Sequence, residues 1–171
     1  MARTSPTQRL DQAARNLLPA LTTLGLGIVA ILPIGLPLWG ALAPPLMLIA
    51  VFYWSLARPG LMPPTVAFLL GLAQDLMTGA PLGLSALIMV LTQWVMRGQQ
   101  RFLVKRPFLV LWAAFLPVVT TAILLEWVIY AVFTFHAVPI LDSLVRLGLG
   151  FALFPVVAWL VLIPTHRLLQ P

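Results

Sequence analysis

The chain has 171 residues, of which 61% are hydrophobic and 8% charged, and its mean hydropathy is +1.05. A soluble domain carries about 25% charged residues, so four acids and ten bases cannot cover a water-exposed globule of this size. The composition therefore excludes a soluble domain and predicts an all-α integral membrane protein whose apolar residues face lipid. The net charge of +6 does not indicate nucleic acid, because the bases lie in short gaps between apolar runs.

The predicted helices follow the uncharged runs in chain order. Residues 16–57 carry no charge, and at 1.5 Å per residue they form about 63 Å of helix, enough for two crossings of a hydrocarbon core of about 30 Å. Proline and glycine in 37–45 break this run. Residues 59–96 contain one charge, Asp75, and again predict two crossings, with a joint at 78–83. The six predicted helices are 17–36, 44–56, 65–78, 82–96, 107–133 and 143–163.

The distribution of the bases predicts the orientation of this six-helix bundle. Nine of the ten bases lie in segments that would all be cytoplasmic if the N-terminus is cytoplasmic, as the positive-inside rule requires. These bases are Arg3, Arg9, Arg15, Arg58, Arg97, Arg101, Lys105, Arg106 and Arg167. We therefore predict a cytoplasmic segment 1–16, a transmembrane domain 17–166 and a cytoplasmic tail 167–171. The first apolar run is about 20 residues long, more than the 7–15 of a signal peptide, and is expected to be retained.

Three charges fall inside the predicted spans: Asp75, Glu126 and Arg146. Ionised groups in hydrocarbon cost about 2.5–3.5 kcal/mol or more each, so they normally face a partner, a bundle interior or a cavity. All three are expected at the outer leaflet level, where Arg146 would pair with one or both acids. The alternative pairs Arg146 with Asp142, four residues earlier on the same helix.

Small residues recur along the third predicted helix. Ala67, Gly71 and Asp75 are spaced by four, Gly79 continues the spacing, and Gly83 follows. This pattern predicts a face that another helix can approach closely in lipid, burying Asp75. The alternative is that Gly71 is simply tolerated in a membrane helix.

Motifs of catalysis and metal binding are missing from the sequence. There is no cysteine, no HExxH, no phosphate-binding loop and no GxSxG. His136 and His166 are isolated, and nothing indicates a poised acid or base near a substrate. The sequence therefore predicts neither an enzyme nor a cofactor or metal site.

One stretch of the chain carries a family resemblance. The run Phe52-Tyr53-Trp54-Ser55-Leu56-Ala57-Arg58-Pro59 is followed by Ala67–Asp75, with Gly71 and Asp75 as Gly-x-x-x-Asp, and by Gly79-Ala80-Pro81-Leu82-Gly83. In order and spacing this stretch, about 52–83, resembles the bacterial rod shape-determining protein MreD family. Length and number of spans are also similar. Outside 52–83 the likeness is one of hydropathy.

The resemblance implies a non-enzymatic subunit of the cell-elongation complex in the bacterial inner membrane. Family members are expected to bind the bitopic protein MreC and to join MreB filaments to peptidoglycan synthesis by a transpeptidase and the glycosyltransferase RodA. The fold is expected to resemble the substrate-capture S-components of energy-coupling-factor transporters.

Two functions are compatible with these features. The first is a membrane scaffold that recognises partner helices through the face at Ala67, Gly71 and Asp75. Its basic segment 97–106 would meet anionic lipid or an acidic partner, or would serve orientation alone. The second is a small-solute-binding transport subunit with a pocket at Asp75, Glu126 and Arg146.

Overall fold

The structure, a computed structural model, describes residues 6–32, 43–134 and 140–168. Within these ranges the regular structure is helical, and none of it is strand. The end of the first predicted helix, the joint that follows it and most of the loop before the sixth predicted helix lie outside the described residues, as do the first and last few residues.

The helices follow one another with short connections. They are α1 (Pro6–Ile31), α2 (Leu46–Ala57), α3 (Pro64–Thr78), α4 (Leu84–Leu103), α5 (Phe108–Thr134) and α6 (Ile140–Val157), which continues through a π-helical turn (Ala158–Leu162) into α7 (Ile163–Leu168).

The largest differences from the predicted bounds are in α1 and α4, while the sixth predicted helix, 143–163, is helical from Ile140 to Leu168. α1 begins at Pro6 rather than at 17, because nothing in the intervening residues breaks a helix and proline is favourable at the first helical position. α4 continues to Leu103, so most of the predicted basic loop 97–106 is helical. Gly98 alone does not end it, whereas Pro107 disfavours helical geometry at the residue before it.

α2 lies at the centre of the bundle. Its residues from Leu46 to Leu56 are all buried, and it contacts α1, α4, α5 and α6. The Phe52 ring meets Phe115 and Phe154 edge to face, with centroids 5.2 and 5.6 Å apart. The shortest of the predicted spans is therefore also the most enclosed.

α5 and the continuous helix from α6 to α7 form the outer wall. Phe108–Val132 and Ile140–Thr165 are long and apolar enough to cross a membrane, yet only 22% and 28% of their most apolar windows are buried. The core helix of a soluble protein would be mostly buried. Exposed leucines such as Leu109, Leu124 and Leu160 instead face away from the bundle, as expected when the surroundings are lipid.

A proline fixes how α5 and α6 pack. Pro155 has no N–H, so the carbonyl of Phe151, four residues earlier, lacks its helical donor. The indole Nε1 of Trp112 on α5 donates to this carbonyl at 2.9 Å, and the Trp112 and Phe151 rings stack with centroids 4.8 Å apart. The carbonyl that Pro155 leaves free in α6 thereby forms a hydrogen bond between the two helices.

Candidate functional site

The small-residue face of α3 packs against the first turn of α4. Ala67 is fully buried, and Gly71 is buried. A Cβ added at Gly71 would lie 2.7 Å from the carbonyl carbon of Ser85 and closer still to the backbone of Ala86. Only the missing side chain lets the two backbones come this near.

Asp75 lies one turn further along α3 and is 1% exposed. Its Oδ2 accepts the N–H of Gly83 at 2.8 Å and its Oδ1 accepts the N–H of Ser85 at 2.9 Å. The first N–H groups of a helix have no partner within it and carry partial positive charge. Asp75 therefore satisfies the N-terminus of α4 from the neighbouring helix, as a capping residue would.

The joint between α3 and α4 depends on two glycines of left-handed conformation. Gly79 ends α3 with φ 69°, and Gly83 precedes α4 with φ 96°. Non-glycine residues rarely adopt such angles. Gly79 and Gly83 thus shape the turn rather than extend the helix face, and together with Gly71 and Asp75 they build one hairpin.

The face of this hairpin that carries Ala67, Gly71 and Asp75 is covered by the chain itself. The neighbour that approaches Gly71 is α4, and Ala67 and Asp75 present almost no surface outside the bundle. Their side chains are therefore not available to a separate protein in this arrangement.

Arg146 on α6 pairs with Glu126 on α5. Its Nη1 lies 2.8 Å from Oε2 of Glu126, with the two side chains 27% and 17% exposed. Among the residues that the structure describes, no ion pair joins Arg146 to Asp75 or to Asp142. Arg146 thus pairs with one of the two acids, Glu126, while the carboxylate of Asp75 accepts backbone N–H groups.

A cavity of about 310 Å³ opens beside the ion pair. The helices α1 to α6 all contribute to its wall, as does the segment before α2. Its polar lining residues are Gln74, Thr78, Ser85, Glu126, Tyr130 and Arg146. Asp75 does not line this cavity.

Two glutamines on α4 donate hydrogen bonds to backbone carbonyls, and these contacts were not predicted from the sequence. Gln93, fully buried on α4, donates its Nε2 to the carbonyl of Met62 at 3.1 Å and so holds the turn between α2 and α3. Gln100 donates to the carbonyl of Leu56 at 3.2 Å. For Gln93 the available signal was a polar residue inside an apolar run, which normally has a partner in the bundle.

The residues of the predicted cytoplasmic turn (Arg58 and Pro59) and of the basic segment 97–106 lie at the opposite end of α3 and α4 from Asp75. Arg58 ends α2, and Pro59 begins the turn to α3. Arg97 and Arg101 lie on α4, while Lys105 and Arg106 lie in the turn that follows; all four are exposed. The Arg106 guanidinium lies 4.5 Å from the centroid of the Phe102 ring, which is a cation–π distance.

The outer helices expose apolar side chains, the buried charges have partners inside the bundle, and the exposed bases of the described residues lie at one end. These features define a helical integral membrane protein. The family model of the rod shape-determining protein MreD matches residues 16–169 of the 171. The chain therefore belongs to the MreD family, and the resemblance seen in 52–83 is confirmed. No curated protein and no solved structure matches the chain.

Proposed function

We propose that this chain is a non-enzymatic scaffold subunit of the cell-elongation complex in a bacterial inner membrane. It would bind an MreC-like bitopic protein and connect MreB filaments to peptidoglycan synthesis by a transpeptidase and RodA. The observation that carries the proposal is the family match over residues 16–169, because this family determines rod shape.

The structure supports a scaffold that recognises other helices within the membrane. The α5 wall offers exposed apolar side chains, including Leu116, Leu124 and Val128. Since the small-residue face at Gly71 is occupied by α4, the proposal does not assign that face to MreC. Partner contacts belong to surfaces that the bundle leaves exposed.

The proposed topology has six crossings with both termini in the cytoplasm. The support is the basic composition of one end and the apolar length of the outer helices. Likeness to energy-coupling-factor S-components stays a prediction from the resemblance.

Depletion and co-purification test the scaffold. Cells depleted of the chain should lose rod shape, and the affinity-tagged chain should retain a single-span partner with a large extracytoplasmic domain. Rod-shaped growth after complete depletion would contradict the proposal.

The basic segment can be tested in the same cells. If Arg97, Arg101, Lys105 and Arg106 serve orientation alone, changing all four to Gln leaves partner co-purification intact. Selective loss of a cytoplasmic partner, with the membrane level of the protein unchanged, would show instead that the segment contacts an acidic protein surface.

A further inference from the structure

The cavity beside Glu126 and Arg146 has no role in the scaffold function. A carboxylate and a guanidinium lie side by side in its wall, and both remain partly exposed, at 17% and 27%. A pair kept only for helix packing would be expected to be closed off by apolar neighbours. Here α1, α3 and α4 leave space in front of it.

The hydrogen-bonding capacity of this wall is incompletely used within the described part of the chain. Oε2 of Glu126 is buried against Nη1 of Arg146 at 2.8 Å, whereas the buried Oε1 of Gln74 lacks a donor. The guanidinium has five N–H donors, of which the structure places one nitrogen against Glu126. The wall around the ion pair therefore carries both hydrogen-bond acceptors and hydrogen-bond donors.

The opposite charges of Glu126 and Arg146 indicate which class of ligand the cavity can bind. Glu126 and Arg146 together are neutral, so a simple anion would be repelled by the carboxylate and a simple cation by the guanidinium. A molecule that carries both charges can place each against its opposite. The cavity volume of about 310 Å³ is at the lower end of the range for small-molecule sites, which suits a compact polar group.

We propose that this cavity binds a small zwitterion, with an ammonium group toward Glu126 and Gln74 and a phosphate or carboxylate toward Arg146. The ligand is a phosphoethanolamine-like lipid headgroup or a free solute of the same chemistry. The inference goes beyond the scaffold role and does not depend on it.

Calorimetric titration of the purified full chain in detergent tests the proposal. The probe is sn-glycero-3-phosphoethanolamine, compared with sn-glycerol 3-phosphate and with ethanolamine. Saturable binding of the first, at least tenfold tighter than of either half-probe, is expected. Lack of saturable binding, or equal binding of glycerol phosphate, would overturn the proposal.

Matched variants connect binding to the site. Arg146→Gln and Glu126→Gln should each weaken binding at least tenfold, whereas Arg101→Gln, an exposed arginine outside the cavity, should not change it. Ala80→Phe adds a ring to the lining of the cavity, leaves Glu126 and Arg146 unchanged in sequence and should also weaken binding at least tenfold. Gel filtration identifies any variant that does not fold. Wild-type affinity in folded Ala80→Phe contradicts the proposal.

Native mass spectrometry distinguishes a lipid headgroup from a free solute as the ligand. The chain is released from nanodiscs that contain equal phosphatidylethanolamine and phosphatidylglycerol. Preferential retention of phosphatidylethanolamine, lost in Arg146→Gln, supports a lipid headgroup. Saturable binding of the soluble probe without this preference supports a free solute.

Discussion

Gly71 occupies a position where the backbones of α3 and α4 leave no room for a side chain. The atoms that a Cβ would meet belong to the backbone of Ser85 and Ala86, so no rotamer change can relieve the overlap. The two helices would have to separate, and the hydrogen bonds to Asp75 lie one turn away.

We expect Gly71→Ala to destabilise the protein by about 1–3 kcal/mol, the usual cost of overpacking. Alanine itself favours a helix over glycine by about 1 kcal/mol, so a net loss would show that the close approach dominates. Thermal unfolding in detergent measures the effect. Gly98→Ala is the matched control, because a Cβ there meets nothing within 4 Å; it should be neutral or stabilising. Equal behaviour of the two variants would contradict the packing role.

Asp75 gives a second prediction. Asn has nearly the same shape but one acceptor oxygen, so Asp75→Asn loses the charge and one of the two N–H bonds to α4. We expect a loss of about 1–3 kcal/mol in stability, measured by the same thermal unfolding. Asp142→Asn, in the first turn of α6, should cost at most about 1 kcal/mol, the value of a helix-dipole interaction. A larger effect at Asp142 would argue against the capping role of Asp75.

Among the helices, the contact of α5 with α6 shows how an internal proline can specify a neighbour. The carbonyl that Pro155 leaves without a helical donor is one that Trp112 can reach. An unsatisfied carbonyl in an apolar bundle costs about 1–3 kcal/mol, so this pairing favours one rotation of α6 relative to α5.

A double-mutant cycle tests this pairing. Trp112→Phe retains an aromatic ring against Phe151 but removes the indole N–H, and should cost about 1 kcal/mol or more. In the background of Pro155→Ala the restored backbone N–H can serve the Phe151 carbonyl, and the cost of Trp112→Phe should fall by about 1 kcal/mol. Trp94→Phe, at a tryptophan 71% exposed, is the control and should have little effect. Strict additivity of the Trp112 and Pro155 changes would contradict the account.

The whole molecule is arranged for lipid. The bundle encloses α2 and directs leucines outward from α5 and from the π-helical turn Ala158–Leu162. In water these leucines would form a large exposed apolar surface. The exposed bases, by contrast, lie at the end of the bundle that holds the C-terminus of α4. Both features follow if the bilayer surrounds the molecule and one end faces the cytoplasm.

Reporter fusions test the proposed orientation. Alkaline phosphatase fused after Ala80, in the turn between α3 and α4, should be active because that turn is expected outside the cytoplasm. Fusion after Lys105 should give an inactive enzyme, and a fluorescent protein that folds in the cytoplasm should show the reverse pattern. Phosphatase activity at Lys105 and none at Ala80 would invert the topology.

Much of the helix pattern could be predicted from the sequence. Pro64 and Gly79 mark the ends of α3 to within a residue, since proline favours the first position of a helix and glycine the end. The end of α4 was predicted less well, because the basic residues were interpreted as a loop although arginine and glutamine are good helix formers.

The partners of the buried charges could be predicted only in part. The sequence indicated that Asp75, Glu126 and Arg146 needed partners, because ionised groups are costly in hydrocarbon. It did not show that Asp75 would accept hydrogen bonds from the N–H groups of Gly83 and Ser85, since almost every residue has a backbone N–H and the sequence does not show which of them lack a partner.

By itself, the sequence determined that the protein is helical and that its surroundings are lipid, and it predicted that nine of its ten bases share one side of the membrane, because hydropathy and charge act locally along the chain. The tertiary structure decided that α4 is the helix against Gly71, that α2 is the enclosed helix and that Glu126 is the partner of Arg146. These contacts depend on which backbones and side chains meet in space, and they join residues that are far apart in the chain.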